Sequence, residues 1–461
     1  MNNQRKYSSD RIGAKRTSPS FRIISFQLRR AHRLLVLFVA ALFLSSTLLH
    51  QVQAAAFGKL DRTFGGGRVT TNISRIKDFG EDVVIQRDGR IVVAGSAGSG
   101  IGLARYNTDG SLDTSFGEDG KVTTSFDSAS ALAIQPDGRI VVAGSTYTSR
   151  TLESLDIALA RYEPDGSLDT SFGIDGKVTT DFFGDQDWAS GIGIRPDGRI
   201  VVAGAARNPA PSFQCFALAQ YNTDGSLDTS FGTGGKATTR FTEFGGTGIG
   251  YAHGLAIQSD GTIVAVGTAY TSNDQDFALV RFLSYGSLDI SFGMGGKVVT
   301  DFSTNVDDGI SVAIQPNGQI VVAGSTFANI DPNTSDFALA RYNSNGSLDL
   351  AFGTGGKITT DLRGSFDYAS DLAIQPDGDI VLAGSSQLSS AFTSGDFALT
   401  RYHPDGSLDT AFGVSGIVIT DFHANYDVAA AIAIQQDGRL VAAGTSFLSS
   451  TDAAFALARY R

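Results

Sequence analysis

Trp188, the single tryptophan of the chain, stands directly after Asp187, and Tyr251 and His253 lie further along within one short stretch. An indole and a phenol beside carboxylates form a set that stacks on sugar rings and hydrogen-bonds their hydroxyls. The plainer role for Trp188 is to plug a gap between packed elements. A second set is acidic. Asp82, Asp127, Asp187, Asp307, Asp367 and Asp427 each precede a similar apolar segment. Gathered into a ring, these carboxylates would raise one another's pKa or hold a calcium ion. Their plainer role is turn capping and solvation. "NTDGSLD" (107–113) also places oxygen donors at alternate positions, but it lacks the bidentate Glu and the length of an EF-hand loop and reads as a β-turn.

Other chemistry is sparse. "FGTGGK" (231–236) imitates a phosphate loop, yet Ala237 stands where Ser or Thr is needed and no helix follows. Beyond residue 56 the only histidines are His253, His403 and His423, and there is no HExxH, CxxC or GxSxG. Cys215, the single cysteine, forms no intramolecular disulfide and reads as a small packed residue just before a strand. With so many acids in the chain, sequence alone singles out no glycosidase-like pair. No catalytic residue is assigned. The reading is a binding or interaction scaffold. The alternatives are a hydrolase or lyase acting on polysaccharide, or a purely structural surface protein.

These residues are carried by a repeat. "LD..FG" begins at Leu60, Leu112, Leu168, Leu227, Leu288, Leu348 and Leu408, at intervals of 52 to 61 residues. Seven versions of "AIQPDGRIVVAG" and seven of "FALARY" alternate with it. Each unit reads as four strands. The first alternates around small residues ("ALAIQ"), and a PDG turn follows in which Gly supplies a positive φ. The second ("RIVVAGS") is β-branched on both faces, the third is "FALARY", and the fourth follows "FG..GK". No helical period with caps occurs after residue 56. A period near sixty with four strands predicts an all-β fold, a seven-bladed β-propeller of four-stranded blades over 57–461.

Connections between strands one and two, and three and four, are nearly constant. Those between two and three, and from four to the next unit, vary in length. In an up-and-down blade both variable sets lie at one end, so one face of the disc is diversified for binding. Trp188, Tyr251, His253 and the neighbouring "NPAPSF" loop (208–213) belong to that face. The Phe of each "FG" (Phe64, Phe116, Phe172, Phe231, Phe292, Phe352, Phe412) is expected to anchor an outer strand between blades. The Arg of "ALARY" is expected to pair with the Asp of "LD".

"LDTSFG", "QPDGRIVVAG" and "FALARY" resemble the delta-60 repeat, a bacterial β-propeller family, across all of 57–461. The resemblance implies a propeller in an exported bacterial protein and brings no catalytic residues with it. The N-terminus agrees with export. Arg29, Arg30 and Arg33 precede the apolar stretch Leu34 to Leu49, and Ala54 and Ala56 form a small-x-small site ahead of Phe57. Residues 1–56 are therefore expected to be a signal peptide or, uncleaved, a membrane anchor. The basic region is long for a signal, which points to a translation start downstream of Met1. The remainder carries 27 Lys/Arg against 46 Asp/Glu, a net charge of −19 that disfavours nucleic acid and anionic membranes. The expected setting is extracytoplasmic (secreted, periplasmic or cell-surface). The expected partner is a protein or glycan ligand, bound by a monomer.

The phase of the repeat carries one more expectation. "FGKLDRTFGGGRVTT" (57–71) is the back half of a unit with no front, and the chain ends on "FALARYR" with no back half. The seventh blade should therefore take its outer strand from the N-terminal segment, with Val69 antiparallel to Leu457. That pairing would latch the ring and leave no open sheet edge.

Overall fold

The second strand of each unit is apolar on both faces, so it must be covered on both sides, and this requirement organises the molecule. The computed structural model of the chain describes residues 57–461 apart from 75, 99, 149–153, 273, 303–305, 328–333, 365, 388–393 and 424. They form seven four-stranded antiparallel sheets, the blades of a β-propeller. In the second blade the strands, inner to outer, are Ser128–Ile134, Ile140–Tyr147, Leu155–Tyr162 and Lys177–Thr180. The middle two are buried almost end to end, whereas the short outer strand is partly exposed. Blades are counted here by their inner strands, from Asp78–Ile85 in the first to Asp427–Ile434 in the seventh. The export segment expected at 1–56 lies outside the described residues. Helical structure among the described residues is confined to two short 3-10 turns, Gly65–Gly67 and Thr242–Phe244.

The seventh blade closes as the phase of the repeat predicts. Arg68–Thr71 is its outer strand and pairs antiparallel with Ala453–Tyr460, Val69 opposite Leu457. Asp61, wholly buried, receives Arg459 and Arg461 on its two oxygens. Burial opposes ionisation, but hydrogen bonds from Thr63 and Arg461 and the charge of Arg459 hold the Asp61 carboxyl well below the usual range.

The hydrophobic core is divided among the seams between blades. Seven larger clusters of buried side chains each combine second- and third-strand residues of adjacent blades. The "FG" phenylalanines are fully buried in these seams. The "ALARY" arginine lies over the ring and pairs with the "LD" aspartate. In the second blade Arg161 sits 4.4 Å from the Phe172 centroid, with Nε donating to Asp169 at 2.7 Å. Buried tyrosines of the same strand tie blades together, as where Tyr162 meets Thr124 of the first blade at 2.8 Å.

The third blade has Gln220 in place of that arginine, and the structure shows the compensation. Arg195 stands where the second blade has Gln135, so the two residue types are exchanged. Gln220 Nε2 donates to Asp228 at 2.7 Å, and Arg195 Nε donates to Gln220 at 2.7 Å. Arg195 also reaches the carbonyls of Gly261 and Ser284 in the fourth blade, the counterparts of the bonds made by Gln135 to Gly198 and by Arg161 to Thr223. One donor set is thus preserved by a different pair of side chains.

Cys215 is buried inside a strand, not ahead of it. The third blade's middle strands, Ile200–Pro209 and Ser212–Tyr221, run longer than those of the second, and the "NPAPSF" stretch is their hairpin tip. Burial pushes the Cys215 thiol up to about 12, so it is not a nucleophile at neutral pH.

Candidate functional site

Every inner strand carries a register shift at the same place, between Gly80 and Asp82 in the first blade and between Ala129 and Ala131 in the second. The extra residue bulges toward the propeller axis. Its carbonyl neighbour then lies against the second strand. A Cβ on Gly144 would stand 1.9 Å from the Ser128 carbonyl oxygen, which explains the glycine of every "VVAG". The seven bulged residues therefore share one level and line a central cavity of about 510 Å³, five of them polar or charged (Glu81, Ser130, Ser190, His253 and Ser370) and two apolar (Ile310 and Ala430). Asp82, Ser311 and Asp371 stand at the adjoining level.

A second cavity, of about 380 Å³, opens beside it at the variable-loop end. Trp188, Gln214, Tyr251 and His253 line it, and it shares Ser130, Ser190 and His253 with the central cavity. The Tyr251 hydroxyl donates to Gln214 Oε1 at 2.6 Å, and its ring meets Tyr270 edge-on at 6.0 Å. Burial holds the His253 imidazole below its usual range, against the pull of Asp308, so it is neutral at pH 7.

Of the residues singled out in the sequence, Trp188, Tyr251 and His253 thus line one cavity, whereas Asp187 does not join them. Successive side chains of a strand point to opposite faces, and Asp187 faces the seam, fully buried. The six acids do not form a ring at the channel mouth. Asp127, Asp187, Asp307, Asp367 and Asp427 occupy equivalent places at the start of their inner strands, away from the cavity lining. The carboxylates of Asp187, Asp367 and Asp427 each accept the N–H of the residue five before them, for example Phe182 to Asp187 at 2.6 Å. Asp78, not Asp82, is the first blade's equivalent, and it binds the Ile73 N–H at 2.7 Å.

Asp82 lies four residues further in, where it does face the axis. One oxygen accepts the Leu132 N–H of the second blade at 2.7 Å. Asp371 does the same for Ile432 at 2.9 Å and also takes the Ser311 hydroxyl at 2.7 Å. Both carboxyls therefore pin neighbouring blades. Burial pushes Glu81 up to about 7. Burial and the charge of Asp371 push Asp82 to about 7 against its two backbone donors. Glu81, Asp371 and the bulge serines were missed because the sequence alternation does not reveal a bulge. The recurring glycine opposite it was the available signal.

Six segments, 86–116, 135–172, 195–231, 258–292, 315–352 and 375–412, match the model of a family described as "Domain of unknown function (DUF5122) beta-propeller". They correspond to the first six blades, each running from the inner turn to the seam phenylalanine. No curated protein matches the chain. Similar solved structures include a catalytically inactive virginiamycin B lyase from Staphylococcus aureus with quinupristin, at 12% identity and a TM-score of 0.48, covering 85% of this chain and 98% of that one. A family PL25 ulvan lyase is 10% identical with a TM-score of 0.46, over 84% and 95% of the two chains. A protein of unknown function from Bacteroides caccae is 14% identical with a TM-score of 0.40, over 72% and 99%. None of these likenesses bears on chemistry.

Proposed function

We propose that the chain is an exported bacterial propeller of the delta-60 repeat kind that acts as a binding scaffold, taking a glycan at its variable-loop face. The observation that supports this is the cavity in which Trp188, Tyr251 and His253 meet beside Gln214 and four serines. A sugar ring offers an apolar face for the indole and hydroxyls for the amide, the neutral imidazole and the serines. The acidic body makes nucleic acid an unsuitable partner. In this reading residues 1–56 direct export and are cleaved before Phe57 or retained as the only membrane contact, and the propeller works outside the cytoplasm as a monomer. On a glycan array the chain is expected to retain a defined set of oligosaccharides, and Trp188→Ala to weaken them at least tenfold at unchanged melting temperature. An empty array, or retention indifferent to Trp188→Ala, would overturn the reading.

One observation favours a second reading, action on the polysaccharide. Glu81 carries a carboxyl near neutrality at the wall of the central cavity, as a general acid requires. Glu81→Gln should then abolish depolymerisation of a bound polysaccharide while leaving its retention intact. Absence of chain cleavage by the unaltered protein across a polysaccharide panel leaves the scaffold reading alone.

A further inference from the structure

We propose that four of the seven seams between blades are calcium sites, each built from three aspartates that the repeat brings together at the variable-loop end. The inference goes beyond the glycan reading and does not depend on it. The seam between the second and third blades shows the geometry. Asp156 lies at the start of the third strand of the second blade, Asp181 directly follows its outer strand, and Asp187 opens the inner strand of the third blade. One carboxylate oxygen of each lies within 4.8 Å of the other two. Oxygen ligands stand about 2.4 Å from calcium, so three oxygens this close can share one ion. Asp156 and Asp187 are buried and Asp181 is exposed, which leaves a path from solvent. The same three positions recur as Asp276, Asp301 and Asp307, as Asp336, Asp361 and Asp367, and as Asp396, Asp421 and Asp427.

A second observation points to a ligand. Asp187 is wholly buried, and while one oxygen accepts the Phe182 N–H, Oδ1 accepts no hydrogen bond. In the Asp367 and Asp427 seams a serine hydroxyl, of Ser386 and Ser446, approaches the same carboxylate from the second strand, so Asp187 is the clearest case. Asp156 accepts the Ser154 hydroxyl at 3.0 Å and Asp181 the Gly184 N–H at 2.5 Å, each on one oxygen and each from an uncharged donor. A buried carboxylate oxygen without a donor, facing two further carboxylates, is unfavourable unless a cation joins them.

The other three seams supply an internal comparison. Their equivalent positions hold Gly100, Ser125 and Asp127; Cys215, Arg240 and Gly250; and Ala454, Asn72 and Asp78. A seam therefore carries three acids or at most one, never two. Independent caps or solvating groups would vary one by one, whereas ligands of a shared ion are useful only together. Lone acids are satisfied by the protein. Asp127 accepts the Thr146 hydroxyl and the Tyr147 N–H, both at 2.8 Å, and Asp78 accepts the N–H groups of Ile73 and Ser74 and the Ser74 hydroxyl. In the seam with no acid, Arg240 stands at the place of Asp181, its guanidinium 4.5 Å from the Phe213 centroid and donating to the Thr247 carbonyl at 2.7 Å. The Asp396 seam is a weaker member, because Arg363 already pairs with Asp396 at 2.6 Å.

The ion would join the ends of two strands that carry variable loops to the next blade, fixing those loops in place. The test is calorimetric titration of calcium into the purified chain stripped with EGTA, together with thermal melts. We expect about three equivalents bound firmly and a fourth more weakly, with a melting temperature several degrees higher than in sodium chloride of equal ionic strength. Asp187→Asn, which keeps an acceptor for Phe182, should remove one equivalent. It should melt no lower than the parent in EGTA, because it relieves repulsion, and gain less from calcium. Absence of saturable heat at millimolar calcium, stabilisation matched by sodium chloride, or an Asp187→Asn protein equally destabilised with and without calcium would each overturn the proposal.

Discussion

Deleting residues 57–71 is expected to cost the protein its closed ring: a melting temperature lowered by ten degrees or more and a shift from monomer to soluble oligomers or aggregate on size exclusion. The segment supplies the outer strand of the seventh blade, the Asp61 acceptor for Arg459 and Arg461, and the fully buried Phe64 ring. Burying that ring alone is worth about 3–5 kcal/mol, against a total stability of about 5–15 kcal/mol for a typical protein. Without the segment, Ala453–Tyr460 becomes a sheet edge of eight residues, buried throughout in the closed ring, and such an edge recruits other chains. A rescue makes the test specific. Arg461 and Gly58 are related as His403 and Gly406 are in the sixth blade: Gly58 N–H meets the Arg461 carbonyl at 2.5 Å, and Gly406 N–H meets that of His403 at 2.8 Å. Phe57 takes the place of Asp405, its carbonyl accepting Gly413 N–H at 3.2 Å just as Asp405 accepts Gly353 N–H at 3.2 Å. Only the place of Pro404 is missing. The deleted residues appended after Arg461 through one bridging residue should therefore restore both melting temperature and monomer. An unaltered melt and elution of the deletion protein would overturn the latch.

That latch is legible in the sequence, because it follows from counting: a unit with no front and a unit with no back at the two ends of a seven-fold repeat. The same holds for the seam phenylalanines and the Arg–Asp pairs, since a residue present in every unit is best explained by a contact every unit makes. The site was less legible. Trp188 and Asp187 are adjacent in sequence but point to opposite faces, so only the indole reaches the cavity. Asp82 resembled the other acids by its place ahead of an apolar run, yet the matching residue is Asp78, and the four-residue slip moves the carboxyl from a seam to the axis. Counting from the "VVAG" glycine back across the hairpin would have corrected the register, because that glycine marks the bulge. The acid triads were beyond reading by local pattern, since Asp156, Asp181 and Asp187 come from three strands of two blades. Only the closed architecture brings them within one ion's coordination distance.

Phe292→Ala should cost about 3–5 kcal/mol, because it opens a cavity where two blades meet and neither can collapse into it. Phe292 is fully buried between Val264, Val266 and Leu279 of the fourth blade and Ile320, Val322 and Ala340 of the fifth. Its ring also carries the Arg281 guanidinium at 4.6 Å and supports the fifth blade's turn, where a Cβ on Gly346 would stand 3.0 Å from the ring edge. Truncation thus removes ring burial, one face of a guanidinium that pairs with Asp289 at 2.7 Å, and the bed of the neighbouring turn. In a linear array of repeats such damage would stay local, because each unit contacts only its neighbours. In a closed ring every blade is held on both sides, so a weakened seam should lower the transition of the whole molecule and not add a separate early one. Urea denaturation followed by tryptophan fluorescence and by circular dichroism reads this directly. Trp188 lies in the third blade, outside the damaged seam, and it should unfold at the same lowered midpoint as the bulk β signal. Ile290→Ala, two residues away on a side chain 80% exposed, should leave the midpoint where it was. A Phe292→Ala midpoint equal to the parent's would refute the packing role, and a fluorescence midpoint left behind at the parental value would refute the closed-ring cooperativity.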